Sequence, residues 1–485
     1  MPSSSVWARA RGELRPAFLL LAWILVVPPA SPARAQTRAD TTTFDHFGAD
    51  SLPPPVAQGE RWSLARCVET ALRQNGDVLV ARARTRQASG SALSAWSGIL
   101  PSLSVAGSRS RFWPDKQNNT QFVPVQQGDS TVLVEVSLSR SDETDLDATA
   151  QTNLISVPSW MEKRRRDRLH EGARWSEAET RNTVAFRVKQ QYFNLLKAER
   201  LAAVSRESEL LARDEERRSE ALFEVGTVAR GDVLKARARR AQTQLDRIRA
   251  YNQVQIQTAR LKQVIGLPPE TSIAVEPILE EGVAVPDSAA AVRTALDRRP
   301  SLESAHAAER AARSGVTGAW GARLPQLTAS YFVSHKKTTN DFEVGGSSSQ
   351  EEISGTDRQG ELRVSLPIFD GLAIEGNIRS AKGVLAEAEA NRRQLELDVA
   401  VEVQQAWLAL REAVERIGVA QEGVASAEED YNFSKSRYEL GAGTFLDLLN
   451  AEVSLAQARQ SLVEAQADAR TAEADLERAI GERRY

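Results

Sequence analysis

Cysteine, methionine and histidine are scarce in this chain of 485 residues, which contains one, two and four of them. A single cysteine, Cys67, excludes a disulfide bond within the chain. The histidines are scattered, at positions 46, 170, 306 and 335, without the spacing of a metal site. The motifs G-x-S-x-G, H-E-x-x-H and the phosphate-binding loop are also missing. The sequence therefore predicts no cofactor, no metal site and no enzymatic activity.

The chain also lacks an excess of charge and a long hydrophobic run. Its 62 basic residues stand against 65 acidic ones, which gives no electrostatic reason to expect a nucleic acid as partner. The longest apolar run, AFLLLAWILVV at residues 17–27, is too short for a spanning helix, which needs about 20 residues. If the chain enters a membrane, it must therefore do so as β-strands.

The same apolar run has the features of a signal peptide, predicted at residues 1–35. Basic residues precede it, and Ala-Arg-Ala at residues 33–35 offers a cleavage site. A membrane anchor, the alternative, would need a longer run. Residues 36–60 are polar and rich in proline, which predicts a flexible leader. We therefore expect an exported protein.

Two stretches of the chain are nearly the same. FEVGTVARGDVLKA at Phe223–Ala236 and YELGAGTFLDLLNA at Tyr438–Ala451 both place an aspartate six residues after a glycine. The correspondence runs without a gap from residues 219–266 onto residues 434–481. Units of this size are too long for solenoid repeats, so we predict a duplicated domain. The two predicted units are residues 61–266 and 291–485, and the predicted linker is residues 267–290.

A very long helix without proline is predicted over residues 371–440. At 1.5 Å per residue it would reach roughly 105 Å. Large side chains recur along it every seven residues, with small ones between them: Val403, Leu410, Ile417, Val424, Tyr431 and Tyr438. This spacing predicts a coiled-coil seam, and an amphipathic helix of a soluble bundle is the alternative. The matching helix of the first half is predicted over residues 158–224.

Four β-strands are predicted, two in each half. Residues 103–113 and 327–335 each follow a Leu-Pro pair, and residues 360–369 form a second strand in the second half. The second strand of the first half is ambiguous, at residues 131–140 or 147–157. Long polar loops are predicted between the paired strands. The first covers residues 114–130, or extends to residue 146 if the second strand is residues 147–157, and the other covers residues 336–359.

Four strands are too few for a barrel with a lumen, since about eight are needed merely to enclose packed side chains. Exposed strand edges are not tolerated in lipid. If these strands lie in a membrane, several chains must therefore pool them, and the helices must project to the periplasmic side. A soluble hairpin is the alternative for the strands alone.

The sequence resembles the TolC-like outer membrane efflux proteins, also called outer membrane factors, over residues 60–485. The resemblance rests on the duplicated halves, the Leu-Pro before each first strand, the sequence SLPIFDG at Ser365–Gly371 and the two glycine turns. It implies a mainly α fold with a small β portion. It further implies a homotrimer with a 12-stranded barrel in the outer membrane and an α-barrel of coiled-coil helices in the periplasm.

The resemblance also implies partners: a periplasmic adaptor protein, and an inner-membrane transporter that is either proton-driven or of the ATP-driven (ABC) type. The protein would then be the exit duct of an efflux pump or of a type I secretion system. The turns that hold the two similar stretches would form the periplasmic tip, where the adaptor docks. The implied docking residues are Phe223, Gly226, Thr227, Gly441, Gly443 and Thr444.

Four residues near these turns match positions at the constriction of the family's channel. Asp447 would face the lumen in a ring of three carboxylates that favours cations, and Asn450 stands where a second acidic residue is common. From the residues alone, Thr444 and Asp447 also fit a capping box. Asp232 and Tyr438 match partners in a hydrogen bond that holds the closed state.

An arginine that the family places near the second turn is missing, because the corresponding position is Gly443. Arg230 and Arg437 are the candidate substitutes in this sequence. Two other functions compete with the duct. A secreted coiled-coil or adhesin-like protein would explain the heptads but not the strand pairs, and a soluble periplasmic enzyme would need motifs that the sequence lacks.

Overall fold

The computed structural model describes residues 61–115, 120–128, 130–279, 282–344 and 346–481. The predicted signal peptide at residues 1–35 and the predicted leader at residues 36–60 lie outside the described residues. Within the described ranges, no helix combines the length and the hydropathy that a membrane-spanning helix needs.

Helices make up most of the described chain, and the expectation of a mainly α fold with a small β portion is confirmed. The first half contains α1 (Leu64–Gln74), α2 (Gly76–Ser94), a 3-10 turn (Ala95–Gly98), α3 (Val157–Glu224) and α4 (Arg230–Ile265). The second half contains α5 (Ser288–Arg298), α6 (Pro300–Gly321), α7 (Ala373–Glu439) and α8 (Phe445–Ile480). The predicted long helices at residues 158–224 and 371–440 correspond to α3 and α7, of 68 and 67 residues.

The two halves end their helical hairpins in the same way. Gly266 and Gly481 follow α4 and α8 with φ of 88° and 80°, and each amide donates to carbonyl oxygens of the last helical turn. This left-handed conformation favours glycine. A Cβ on Gly266 would also lie 3.1 Å from the carbonyl oxygen of Gln74. The repeated Ile-Gly ending is therefore a repeated helix stop.

The seam predicted on α7 packs against neighbouring helices. Val403, Leu410, Tyr431 and Tyr438 are buried, and the small residues Ala406 and Ala413 between them are buried too. The other two seam residues, Ile417 and Val424, are half-buried. Helix α7 packs along α8, and α3 packs along α4, so each half contributes one long helical hairpin. The first hairpin contacts the second through α3 and α8.

The largest core lies where the N-terminal end of the described chain meets the linker. Strand β1 (Arg61–Trp62) pairs in parallel with β5 (Ala274–Val275). Tyr192 is fully buried behind this pair; its hydroxyl accepts from the Glu276 amide at 2.9 Å and lies 3.1 Å from the Trp62 carbonyl oxygen. Cys67 belongs to the same core, and burial raises the pKa of its thiol to about 12, which makes it unreactive.

The remaining strands form one antiparallel sheet in the order β2-β4-β6-β7, with β3 paired to β4. Their bounds are Ser102–Phe112 for β2, Thr120–Gln127 for β3, Ser130–Ile155 for β4, Gln326–Val344 for β6 and Ser347–Ser365 for β7. Strands β2, β4, β6 and β7 correspond to the four predicted strands, but β4, β6 and β7 extend well beyond the predicted ranges. The ambiguity between residues 131–140 and 147–157 disappears, because β4 contains nearly all of both segments.

The predicted long polar loops at residues 114–130 and 336–359 are wrong. Strand β6 continues to Val344 and β7 begins at Ser347, so most of residues 336–359 is a ladder with a tight turn. Strand β3 lies within the other predicted loop. Gly128 and Gly346, with φ of 66° and 84°, lie in the two turns. The ladder satisfies the backbone whatever the side chains are, so polar side chains on both faces resemble a loop in the sequence.

Candidate functional site

The long strands present two chemically different faces, because successive side chains of a strand point to opposite sides. On one side, the half of the sheet next to the helices is mainly apolar, although Thr152, His335, Thr356 and Arg358 lie on the same side. Its apolar members, in register across the four strands, are Leu103, Val105, Leu146, Ala148, Ala150, Leu327, Ala329, Tyr331, Val333, Leu362 and Val364. We call this side of the sheet the apolar face. Leu103 and Leu362 are 76% and 72% exposed, so no part of the chain that the structure describes covers them.

The opposite side, here called the acidic face, carries six carboxylates against two cations. The carboxylates are Glu143, Asp145, Asp147, Glu351, Asp357 and Glu361, and the cations are Lys336 and Arg363. Lys336 pairs with Glu143, and Arg363 pairs with Glu361 at 2.7 Å, which places these partners on one side. The two sides of the sheet therefore differ, one mainly apolar and the other negatively charged.

The sheet is open at both edges in a single chain. Among the described residues, β2 pairs only with β4, and β7 pairs only with β6. Each edge strand thus has a row of backbone groups available to a further strand. Open edges of this kind promote pairing with another chain.

The helical tip comprises the α3–α4 turn (residues 225–229), the α7–α8 turn (residues 440–444) and the helix ends beside them. Gly226 and Gly441 have φ of 76° and 72°. The Thr227 hydroxyl donates to the Leu222 carbonyl oxygen at 2.8 Å. A Cβ on Gly443 would lie 3.0 Å from Cβ of Arg437, so this turn favours glycine at the position where the resemblance implied an arginine.

The two turns of the tip differ in how the helix after each turn is capped at its N-terminus. Thr444 and Asp447 form a complete capping box: the Thr444 hydroxyl accepts from the Asp447 amide, and the Asp447 carboxylate accepts from the Thr444 amide, both at 3.1 Å. These hydrogen bonds hold the pKa of Asp447 below its ordinary value. The N-cap residue of α4 is Ala229, which makes no side-chain cap. Asp447 is thus an exposed, ionised carboxylate, and Asn450 is exposed one turn later.

Asp232 and Tyr438 are near each other without a hydrogen bond between them. Tyr438 is 8% exposed and packs on Phe445 with ring centroids 5.7 Å apart. Its hydroxyl lies beside the Ser219 hydroxyl but makes no hydrogen bond of good geometry among the described residues. Burial raises the pKa of Tyr438, Ser219 acts in the opposite direction, and the negative charge of Asp232 adds to the rise. The Asp232 carboxylate instead accepts from Lys235 at 3.2 Å.

The candidate substitutes for the missing arginine do not bind across the tip. Arg437 donates to the Ala442 carbonyl oxygen at 3.0 Å and so braces its own turn. Arg230 is exposed and has no ion pair among the described residues. Two other arginines do connect the hairpins. Arg218 of α3 binds Glu439 of α7 at 2.7 Å, and Arg239 of α4 binds Glu452 of α8 at 3.2 Å.

The Arg239–Glu452 pair is the more buried of these two, with side chains 17% and 5% exposed. Burial raises the pKa of Glu452, although Arg239 acts in the opposite direction. No sequence pattern predicts this pair, because its partners are 213 residues apart and no motif marks them. The repeat register aligns Arg239 with Ser454 rather than with Glu452.

Comparison with known proteins agrees with this architecture. The sequence pattern of the family described as "Outer membrane efflux protein" matches residues 67–267 and 291–482. These ranges cover most of the chain, so the chain belongs to this family. The family is one of efflux conduits rather than of enzymes, in agreement with the expectation of no enzymatic activity.

Individual relatives are distant. The chain is 28% identical over 259 residues to protein CyaE of Bordetella pertussis, covering 53% of each chain. It is 24% identical over 306 residues to outer membrane protein TolC of Escherichia coli K12, covering 62% of this chain and 61% of TolC. The matches thus span only about half to three-fifths of these curated relatives.

Solved structures show the same fold. The outer membrane protein VceC of Vibrio cholerae superposes with a TM-score of 0.67 at 20% identity, covering 86% of this chain and 96% of VceC. The CmeC outer membrane channel of Campylobacter jejuni superposes with a TM-score of 0.68 at 19% identity, covering 86% and 85%. The arrangement of helical hairpins and strands is therefore shared with outer membrane channels.

Proposed function

We propose that the chain is one subunit of a homotrimeric exit duct in the outer membrane of a Gram-negative-type bacterium. The observation that carries this proposal is the four-stranded sheet with an apolar face, an acidic face and two open edges. Three copies joined edge to edge would give a closed barrel of 12 long strands. The apolar face would then contact lipid, and the acidic face would line the lumen.

The helices support the periplasmic part of the duct. At 1.5 Å per residue, helices of 67 and 68 residues reach roughly 100 Å. Such a length exceeds a bilayer thickness of about 40–45 Å more than twofold. Twelve long helices from three subunits would continue the barrel into the periplasm as an α-barrel.

The domain arrangement and the export signal are parts of the same proposal. The mature chain would consist of related units at residues 61–266 and 291–485 with a linker at residues 267–290. The two separate ranges matched by the family pattern support this division. Export would use a cleaved signal peptide at residues 1–35, supported by its basic and apolar composition.

At the tip we propose a constriction and a docking rim. Asp447 would form the cation-favouring ring, with Asn450 behind it, and Asp232 would bond Tyr438 in the closed state. The exposed, ionised carboxylate of Asp447 supports the ring, and the negative charge of Asp232 close to the buried Tyr438 supports the bond between these two residues. A periplasmic adaptor would dock on the two turns through Phe223, Gly226, Thr227, Gly441, Gly443 and Thr444. An inner-membrane transporter, proton-driven or ATP-driven, would supply the substrate.

The duct is tested by membrane fractionation and bilayer recording of the full-length protein. We expect it in the outer-membrane fraction as a trimer that dissociates on heating, and we expect cation-selective channels from the purified trimer. The rival secreted coiled-coil protein would be recovered as a soluble species without channel activity. That result would refute the proposed duct.

A further inference from the structure

The apolar face ends in a row of cationic and hydroxyl side chains that crosses all four long strands. Register pairs Arg109 of β2 with Thr144 of β4, Thr144 with Lys337 of β6, and Lys337 with Ser354 of β7. All four residues are exposed and lie on the same face as Leu146 and Val333. We call these four residues the cationic row.

The position of the row matches the outer edge of an apolar band. Leu327, at the helix-proximal end of the apolar face, precedes Lys337 by ten residues on β6. Ten residues of antiparallel strand extend about 33 Å. A strand tilt of about 40° reduces this to a height of about 25 Å, the usual height of the lipid-facing band of a membrane barrel. One cation, Arg358, lies below the row, on the open edge β7.

The row carries hydrogen-bond donors that neighbouring side chains use only in part. Arg109 has no ion pair among the described residues, and Lys337 has a single exposed partner, Glu352, at 2.8 Å. The neighbouring cation Arg111 differs, because its guanidinium binds both carboxylate oxygens of Asp142, at 2.6 and 2.9 Å. Arg109, the Thr144 and Ser354 hydroxyls and the Lys337 ammonium therefore offer the row's free donors.

Cations are also sorted between the faces. Next to Lys337 in the chain, Lys336 points to the acidic face and pairs with Glu143 there. The acidic face would repel an anion, whereas the cationic row combines two cations with two hydroxyl groups. This combination is suited to a phosphate group, which accepts hydrogen bonds from several donors at once.

We propose that the cationic row binds the phosphate groups of outer-leaflet lipid, of the phosphorylated glucosamine type found in lipid A. This inference rests on the proposed duct, because it needs the apolar face in contact with lipid. The acyl chains of the same lipid would lie on the apolar rows below, and the row would fix the height of the barrel in the membrane. In a closed trimer, three copies of the row would form a girdle.

The test uses the purified full-length trimer in detergent and counts bound lipid A by native mass spectrometry. The variant is the double substitution Arg109→Gln and Lys337→Gln. Lys336→Gln is the control for the loss of a lysine charge, because it removes one such charge one residue away on the other face. We expect the double variant to bind lipid A about tenfold more weakly, from the loss of charge-assisted hydrogen bonds, and the control to bind it normally.

Competition identifies the source of the phosphate. If outer-leaflet lipid is the ligand, phosphatidylglycerol and inorganic phosphate should displace lipid A only at much higher concentration. Equal displacement by either one would overturn the assignment, and so would unchanged lipid A binding by the double variant. Heat-modifiability and channel conductance of the same samples report on the duct separately. A double variant that forms normal trimers and channels but loses lipid A supports the inference, whereas a wild-type chain that forms neither sinks the duct.

Discussion

The Arg239–Glu452 pair should stabilise the packing of the two helical hairpins near the tip, and Glu452→Ala tests this. The substitution leaves the Arg239 guanidinium, 17% exposed, between α4 and α8 without its partner. Breaking a buried ion pair typically costs about 3–5 kcal/mol. Because Arg239 retains some contact with water, we expect the lower end of this range, about 3 kcal/mol.

The measurement is hydrogen–deuterium exchange of the purified trimer, under conditions where exchange reports the local opening equilibrium. A cost of about 3 kcal/mol corresponds to roughly 150-fold faster exchange in the first turns of α8, since 1.36 kcal/mol is a factor of ten. Exchange in the core around Tyr192 should not change, because that core is far along α3 from the pair.

Two controls separate the effect of the buried ion pair from other effects of the substitution. Glu415→Ala breaks a similar pair with Arg411 on the surface of α7, where the side chains are 57% and 67% exposed, and should change exchange by less than about fivefold. Replacing both buried partners, Arg239→Met with Glu452→Leu, should restore most of the protection, because an apolar pair leaves no charge unpaired. Equal effects of Glu452→Ala and Glu415→Ala would refute the reasoning.

Three further predictions concern the tip. Burial raises the pKa of Glu215 above its ordinary 4.5, so the folded tip binds this proton more tightly than the unfolded chain does. The stability of the fold should therefore rise as pH falls through the raised pKa and level off below about 4.5. Glu215→Gln should remove this pH dependence in thermal unfolding. Asp447→Asn preserves a hydrogen-bond acceptor for the cap but removes the charge, so it should weaken trivalent-cation block of single-channel current. Because the pKa of Asp447 is lowered, block of the wild-type channel should persist at pH values below the ordinary pKa of 3.8. Unchanged block in the variant would leave Asp447 only its capping role. Tyr438→Phe and Asp232→Ala should each raise resting conductance if the two residues bond in the closed trimer, and normal conductance in both would exclude that bond.

Much of the helical architecture could be predicted from the sequence because its signals are local. The proline-free stretch gave α7 to within three residues of its start and one of its end, and the heptad spacing gave its buried seam. The capping box of Thr444 and Asp447 was visible for the same reason, since its partners are three residues apart. Each half stops its second long helix at an Ile-Gly pair that the repeat marks twice.

The outer part of the sheet could not be predicted, because its side chains are mostly polar on both faces and give no alternating pattern. Residues 336–344 are mostly polar, and they gain their conformation from two ladders, with residues 347–355 across a tight turn and with β4 about 200 residues away. The same limit applies to the tip. Arg218 and Arg239 look like ordinary surface charges until α7 and α8 are placed beside α3 and α4.

The parallel pair of β1 and β5, held by Tyr192, has a mechanical consequence. It ties the start of the first half to the linker, so α3 is anchored at Tyr192, whereas its far end at Glu224 is held by packing against neighbouring helices and by the Arg218–Glu439 ion pair. The segment between these two points is 32 residues, or about 48 Å of helix. A rotation of about 5° at the anchor would displace the far end by about 4 Å. A small change of angle at Tyr192 would therefore move the tip by several ångströms without unfolding α3.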